Sequence, residues 1–333
     1  MQAAIYQEYG PPEVLRVQEV DTPEPGDKDV LVKVMASSVG FGDLIARDFK
    51  AVTPGSFTMP WLFWFLAKLD FGFSKPKRRI LGAEYSGVVA AVGKDVTQWK
   101  EGDQVFGYLA QAFGAYAEYV RVKENAVLAP KPEGLSHEQA AVIPYGALTA
   151  MNLLKKVHIK PGSRVLVNGA SGNQGSFAVQ FLKHAGMHVT GVCSTPRVEF
   201  VRSLGADQVI DYTQEDFTGR GDKYDLIFDV LGKSSFSRVK NSLTDKGRYL
   251  RASFKAKHLL QMLWTGLFSK KKVVCGLAME SPADLAAIKE LVEAGALRSP
   301  LDRTFPLEQV AGAHAYVESG QAKGKIAVSV VSE

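Results

Sequence analysis

One segment of the chain joins a strand, a glycine-rich turn and an amphipathic helix in direct succession. Arg164 to Asn168 is an apolar strand pattern, residues 169–175 read Gly-Ala-Ser-Gly-Asn-Gln-Gly, and a helix with one apolar face runs to Gly186. Glycines let a backbone turn tightly and approach a pyrophosphate, whose charge is stabilised by free N–H groups at a helix start. The unit therefore predicts a dinucleotide site formed by Gly169, Ser171, Gly172, Asn173, Gln174 and Gly175.

The residues around this unit alternate between apolar strands and helical segments, which is typical of a parallel sheet covered by helices. Helical signals from Ser136 to Leu154 come first. Six strands are then predicted: Arg164 to Asn168, His188 to Cys193, Gln208 to Asp211, Asp225 to Val230, Gly247 to Ala252 and Lys272 to Leu277. Six parallel strands complete a doubly wound α/β fold.

The first part of the chain has a different pattern. Short β-rich stretches such as Val30 to Ala36, Tyr85 to Val92 and Ala115 to Val122, separated by Gly and Pro, predict an all-β, barrel-like domain. The tail ends in another strand pattern, Lys325 to Val331, which is compatible with a return to the first domain. The predicted division is therefore 1–126, completed by 298–333, for the β domain, and 127–297 for the nucleotide-binding domain.

The end of the second strand of the nucleotide-binding unit indicates the cofactor. An NAD site has an acidic residue there, which binds the ribose 2′-hydroxyl. The chain has Cys-Ser-Thr-Pro-Arg at 193–197 instead. Ser194 and the guanidinium of Arg197 suit the 2′-phosphate of NADPH. The alternative is that Ser194 caps the next helix and Arg197 is solvated.

Composition excludes several classes of protein. Among 333 residues, 40 Lys and Arg against 35 Asp and Glu leave a net charge of +5, which we expect to be spread along the chain, so no nucleic-acid partner is predicted. Two cysteines cannot form paired zinc or disulfide motifs, and residues 1–10 do not resemble a secretory signal. The longest apolar run, Met59 to Ala67, is about half as long as a spanning helix. A cytoplasmic protein is expected.

Further motifs carry a family resemblance. They are Gly-Ala-Glu-Tyr-Ser-Gly-Val-Val at 82–89, Ala-Leu-Thr-Ala-Met at 147–151, Leu-Gly-Ala-Asp at 204–207 and Gly-Lys-Ile at 324–326. With the glycine turn, they resemble the medium-chain dehydrogenase/reductase superfamily, in its zinc-free quinone oxidoreductase and enone reductase branch. The resemblance implies a GroES-like β-barrel joined to a Rossmann domain, with the active site between them. It also implies a homodimer that pairs the edge strand Lys272 to Leu277.

The chain departs from zinc-dependent relatives at each ligand position. Their catalytic Cys corresponds to Gly40, their His to Ala83, and their third ligand to Tyr145. A catalytic zinc ion needs three protein ligands, so we expect no metal.

The resemblance also implies roles for single residues. Asp43 is a candidate catalytic residue, with capping of its helix as the alternative. Tyr145 is a candidate proton donor, with simple packing at the domain junction as the alternative. Tyr212 is expected to contact the adenosine of the cofactor, unless it is a half-buried aromatic at a strand end. Lys325 is expected to help bind the cofactor.

The main functional hypothesis is transfer of hydride from NADPH to a quinone or to the β-carbon of an α,β-unsaturated carbonyl. An apolar carbonyl or quinone of small size is the expected substrate. One alternative is a non-catalytic NADPH-binding sensor or structural protein, since fold does not dictate chemistry. A less favoured alternative is an alcohol or aldehyde oxidoreductase.

An aromatic and basic insert, Phe57 to Arg79, is the most individual feature of the sequence. One interpretation is an apolar wall or lid beside the substrate cleft. A second is peripheral contact with an anionic membrane, because aromatic side chains lie beside a basic cluster. A third is a helix packed on its own core or against a second subunit.

Overall fold

A computed structural model describes residues 1–331. Fifteen strands are present in this range: β1 (Gln2–Ile5), β2 (Arg16–Glu19), β3 (Asp29–Val39), β4 (Glu84–Val92), β5 (Gln104–Tyr108), β6 (Tyr119–Lys123), β7 (Val127–Pro130), β8 (Arg164–Asn168), β9 (His188–Cys193), β10 (Gln208–Asp211), β11 (Tyr224–Asp229), β12 (Leu243–Arg251), β13 (Lys272–Cys275), β14 (Leu301–Pro306) and β15 (Lys325–Ser329).

The same range contains ten α-helices: α1 (Phe41–Arg47), α2 (Trp61–Phe71), α3 (His137–Ala141), α4 (Pro144–Leu154), α5 (Asn173–His184), α6 (Val198–Ser203), α7 (Phe236–Val239), α8 (Ala256–Phe268), α9 (Pro282–Glu293) and α10 (Val310–Glu318). No helix within residues 1–331 has the length and apolar character needed to cross a bilayer.

The nucleotide-binding half contains a six-stranded sheet in the order β10-β9-β8-β11-β12-β13, with every neighbouring pair parallel. This order is the doubly wound one, in which the chain reverses direction beside β8. Apolar side chains of α4, α5 and α9 pack against one face of the sheet. The predicted α/β fold is confirmed, and β8, β9 and β10 have the predicted bounds.

The β-rich half contains a seven-stranded sheet, mostly antiparallel, and the separate pair β1–β2. Strand β15, from the end of the chain, pairs antiparallel with β3, so the tail joins the sheet begun near the N-terminus. This is the arrangement expected of a GroES-like domain. The domain boundaries themselves stay a prediction.

The helical signals from Ser136 to Leu154 are confirmed as two helices, α3 and α4, and Pro144 is the first residue of α4, where its missing N–H is tolerated. Two local predictions were wrong. The strand predicted from Ala115 to Val122 is replaced by β6, which begins only at Tyr119. The edge strand β13 ends at Cys275. Pairing of β13 in a homodimer stays a prediction.

Candidate active site

The glycine-rich turn lies between β8 and α5, at the carboxyl edge of the parallel sheet. Gly169 has φ +90°, a left-handed conformation that favours glycine, and a Cβ on Gly175 would come within 2.0 Å of the Gly169 carbonyl oxygen. The first glycine thus makes the turn and the third lets the helix approach the strand. The second, Gly172, is the N-cap of α5 with φ −75°.

The start of α5 has the properties of an anion site. Gly172 offers no side chain, so the first N–H groups of the helix are not capped by one. The side-chain amide of Asn173 is buried, and neither its oxygen nor its nitrogen has a hydrogen-bond partner within residues 1–331. Buried polar atoms are normally paired, so an amide left unpaired at a helix start fits a polar ligand such as a dinucleotide pyrophosphate.

Tyr145 and Gln174 meet beside this turn. The Nε2 of Gln174, in the first turn of α5, donates to the Tyr145 hydroxyl oxygen at 2.9 Å. The Tyr145 ring packs 5.6 Å from the ring of Tyr108, on β5 of the other sheet. Burial raises the pKa of Tyr145 to about 12, so the phenol keeps its proton at neutral pH. The structure therefore brings a protonated hydroxyl next to the predicted cofactor turn.

Glu84 holds the backbone of Tyr145 in position. Its Oε1 accepts from the backbone N–H of Tyr145 at 2.8 Å. Its Oε2 pairs with Lys325 Nζ at 2.6 Å and accepts from the Ser38 hydroxyl. The side chains of Lys325 and Glu84 are 5% and 2% exposed, so this ion pair is buried.

This role of Glu84 was not predicted from the sequence. The signal was present, because a carboxylate is the first residue of the otherwise apolar β4, next to the Gly-Ala of the family motif. Lys325 also donates to the Val39 carbonyl oxygen at 3.2 Å. Its ammonium is therefore directed into the protein, and the predicted contact of Lys325 with the cofactor is not supported by this geometry.

Asp43 is fully buried at the first turn of α1. Its Oδ2 accepts from the Gly40 N–H at 2.8 Å and its Oδ1 from the Gly82 N–H at 2.9 Å. Burial raises the pKa of Asp43 to about 6, although both backbone hydrogen bonds and the charge of Lys325 oppose this shift. The geometry matches the capping alternative, and a direct part of Asp43 in the reaction stays a prediction that these contacts do not favour.

The residues predicted to select NADPH lie after β9. Arg197 is half-buried, and its Nη2 donates to the Gly320 carbonyl oxygen at 2.7 Å. Ser194 is half-buried and its side chain makes no capping hydrogen bond, so the capping alternative is not seen. Tyr212 is 59% exposed, which leaves its ring free to contact a ligand. The binding roles of these three residues stay predictions.

A second buried network fixes the carboxyl ends of three strands. Asp229, at the end of β11, accepts from Asn168 Nδ2 at 3.0 Å and from the Tyr249 hydroxyl at 2.7 Å. Its Oδ2 lies 3.5 Å from Arg251 Nη1 at the end of β12. These contacts hold the edge of the sheet on which a dinucleotide would lie.

The residues present do not fit a catalytic zinc ion. Gly40 and Ala83 offer no ligand atom, and the Tyr145 hydroxyl is bonded to Gln174. Within the part of the chain that the structure describes, no three His, Cys, Asp or Glu side chains are grouped to hold a metal ion.

Comparison with known proteins agrees with the fold. Residues 26–133 match the family model for the alcohol dehydrogenase GroES-like domain, and residues 204–328 match the model named zinc-binding dehydrogenase. The chain is 35% identical to a mouse protein named NAD(P)H oxidoreductase RTN4IP1, mitochondrial, over 99% of this chain and 89% of that protein. It is 30% identical to the chloroplastic NADPH-dependent alkenal/one oxidoreductase of Arabidopsis thaliana, over 98% and 79%.

Among solved structures, a quinone oxidoreductase from Coxiella burnetii is similar, with a TM-score of 0.84, 28% identity and 99% of both chains covered. The two family models and these relatives define an oxidoreductase with a GroES-like and a Rossmann domain. The chain belongs to the medium-chain dehydrogenase/reductase superfamily, alongside its quinone and alkenal oxidoreductases. The predicted family and the prediction of an enzyme are confirmed, and the sensor alternative is not supported.

The predicted cytoplasmic location was wrong. The mouse relative is named mitochondrial and the Arabidopsis relative chloroplastic, so the similar eukaryotic proteins are named for organelles. The error arose because a chain with two cysteines fits a reducing environment, which does not distinguish the cytoplasm from an organelle interior.

Proposed function

We propose that the enzyme reduces a quinone or the β-carbon of an α,β-unsaturated carbonyl with NADPH, without zinc. The observation that carries the proposal is the protonated Tyr145 hydroxyl, held against Gln174 of the cofactor turn at a position where zinc-dependent relatives have a metal ligand. NADPH as cofactor is confirmed at the level of the family by the NADPH-dependent Arabidopsis relative. The unpaired amide of Asn173 and the uncapped helix start supply a matching site.

Each side chain then has a defined task. When bound, NADPH supplies hydride. As negative charge develops on the substrate carbonyl oxygen, the Tyr145 hydroxyl donates a hydrogen bond to that oxygen and stabilises the charge. Gln174 Nε2 donates a hydrogen bond to the Tyr145 oxygen, so the hydroxyl hydrogen of Tyr145 is free to bond the substrate. Glu84 fixes the backbone of Tyr145, so the Tyr145 hydroxyl is already in position when the reaction begins.

Replacement of Tyr145 tests this task. We expect Tyr145→Phe to lower kcat for an enone by about a hundredfold, the usual scale for one oxyanion donor. NADPH affinity changes by less than about twofold, because the ring still packs against Tyr108. Steady-state kinetics and cofactor fluorescence titration measure the two effects. Tyr108→Phe is the matched control, and equal kcat values for Tyr145→Phe and wild type contradict a chemical role for the hydroxyl.

Replacement of Arg197 tests cofactor choice. We expect Arg197→Ala to weaken NADPH binding about tenfold and to leave NADH binding unchanged, since only NADPH has a 2′-phosphate for the guanidinium to pair with. Calorimetry with both cofactors measures this. Arg202→Ala, which removes an exposed partner of Glu199 on the next helix, is the control. If the wild-type protein binds NADPH and NADH with equal affinity, the assignment of NADPH through Arg197 is wrong.

The zinc-free proposal has a separate test. We expect turnover of NADPH with a quinone, a short enone or a long-chain enal, no turnover with a saturated aldehyde, and no change after dialysis against a chelator. If the enzyme reduces the saturated aldehyde, and if this activity is lost on chelation and restored by zinc, the proposal is wrong. The reaction would then be zinc-dependent carbonyl reduction.

A further inference from the structure

Two helices expose most of the large apolar side chains that reach solvent. Within residues 1–331, 17 large apolar side chains are exposed, and 12 of them lie in residues 61–73 and 260–268. Trp61 on α2 is 65% exposed, and Leu267 and Phe268 on α8 are 77% and 73% exposed. Scattered exposed apolar side chains are normal, but this concentration marks an interaction surface.

The same two segments carry the positive charge of the protein. Residues 50–79 contain six Lys and Arg and one acidic residue, and residues 253–272 contain five Lys and no acidic residue. Their net charge is therefore +10, whereas the whole chain carries +5, so the remaining residues are net negative. The expectation of evenly spread charge was wrong.

Little of this charge is neutralised. Among the basic residues of both segments, Arg78 is the one that forms an ion pair within residues 1–331, with Asp70. Lys77 and Lys272 bond backbone carbonyls near the ends of α2 and α8, which leaves their charges without a carboxylate partner. Lys257 and Lys270 are exposed.

The two segments come together near the carboxyl edge of the parallel sheet. The N–H of Phe254 donates to the Thr58 carbonyl oxygen at 3.0 Å, and Lys255 Nζ bonds the Gly55 carbonyl oxygen. Helix α2 begins three residues after Thr58, and α8 begins two residues after Phe254. Phe254 follows the carboxyl end of β12, the edge of a doubly wound sheet where ligands bind.

We propose that residues 50–79 and 253–272 form one docking face for an anionic lipid bilayer. Helices of 11 and 13 residues with exposed Trp, Phe and Leu are suited to lie in the bilayer interface, and the flanking lysines are complementary to acidic headgroups. A nucleic acid would neutralise the lysines but would leave the apolar side chains exposed. A second copy of the chain would present the same positive charge to itself.

The location of the face also indicates a class of substrate, and this step rests on the proposed function. A substrate site at this edge of the sheet lies beside the bound bilayer and can take a long-chain quinone or enal directly from the lipid. Short, water-soluble quinones would reach the same site from solution. Vesicles should therefore raise kcat/KM for the long-chain acceptor and leave that for the short acceptor unchanged.

Co-sedimentation of the whole protein with vesicles tests the docking face. We expect binding to phosphatidylcholine vesicles that contain about 30% phosphatidylserine, and about tenfold weaker binding to phosphatidylcholine alone or at high salt. Leu267→Ser with Phe268→Ser, and separately Lys257→Gln with Lys270→Gln, should each weaken binding at least tenfold. Met279→Ser, which is 73% exposed outside the face, and Lys100→Gln with Lys246→Gln are the matched controls.

Four outcomes overturn the proposal. One is the absence of binding to anionic vesicles. Another is an equal loss of vesicle binding in the variants of the docking face and in their controls. The third is a change from dimer to monomer in Leu267→Ser with Phe268→Ser, seen by light scattering while lipid binding is retained, which would make the face a subunit interface. Competition by duplex DNA without any effect of the apolar variants would favour nucleic acid instead. Turnover of the short quinone tests the reductase function independently of all these results.

Discussion

Removal of the Glu84 carboxylate is expected to destabilise the protein by about 3–5 kcal/mol, because it leaves the Lys325 ammonium buried without its counter-charge. Glu84→Ala also removes the acceptors of the Ser38 hydroxyl and the Tyr145 N–H. These contacts join β3, β4 and β15 to the first turn of α4. Urea unfolding, followed by tryptophan fluorescence, measures the loss.

Two control variants show whether the loss of stability comes from an unpaired charge that is buried. Asp70→Ala breaks an exposed ion pair with Arg78 and should cost no more than about 1 kcal/mol. Glu84→Leu combined with Lys325→Met should recover part of the stability lost in Glu84→Ala, since no unpaired charge is then buried. If Glu84→Ala lowers the free energy of unfolding by less than about 1 kcal/mol, the Glu84–Lys325 ion pair does not anchor the site.

Gly172→Asp is expected to affect cofactor binding and stability in opposite directions. The N-cap position has an extended conformation, φ −75° and ψ 170°, and a Cβ there meets nothing nearer than the Gly169 carbonyl oxygen at 3.3 Å. Aspartate is a favourable N-cap, so thermal stability should stay the same or rise slightly. The new negative charge would face the pyrophosphate and weaken NADPH binding at least a hundredfold, about 3 kcal/mol.

Gly172→Asn is the matched variant, because asparagine is a cap of equal size without the charge. It should lose much less affinity than Gly172→Asp. Calorimetry with NADPH and a thermal melt of each variant give both quantities. Unchanged NADPH affinity in Gly172→Asp would place the pyrophosphate somewhere other than the start of α5.

The fold was largely predictable because its signals are local. A strand followed by glycines at 169, 172 and 175 and an amphipathic helix predicts both the turn and the parallel sheet. Errors occurred where contacts in the folded chain decide at which residue an element begins or ends. The strand predicted from Ala115 to Val122 begins only at Tyr119, because Tyr116 and Glu118 are bends and Ala117 forms an isolated bridge with Ala3.

The candidate site was predictable only in part, because its support depends on contacts between distant segments. Tyr145 was identified by its position, but its fixation by Glu84, 61 residues away, follows from the tertiary fold. The partner of Lys325 was missed for the same reason. Asp43 was a catalytic candidate by motif alone, and only the three-dimensional contacts show both of its oxygens bonded to backbone N–H groups.

The most direct test of the central claim is the position of the transferred hydride. NADPH that carries deuterium at C4 of the nicotinamide is incubated with the enzyme and a long-chain enal, with a chelator present, and the product is examined by mass spectrometry and NMR. Reduction at the β-carbon puts deuterium on C3 of a saturated aldehyde, which is the predicted result. Deuterium on C1 of an unsaturated alcohol would contradict it and assign the enzyme to carbonyl reduction.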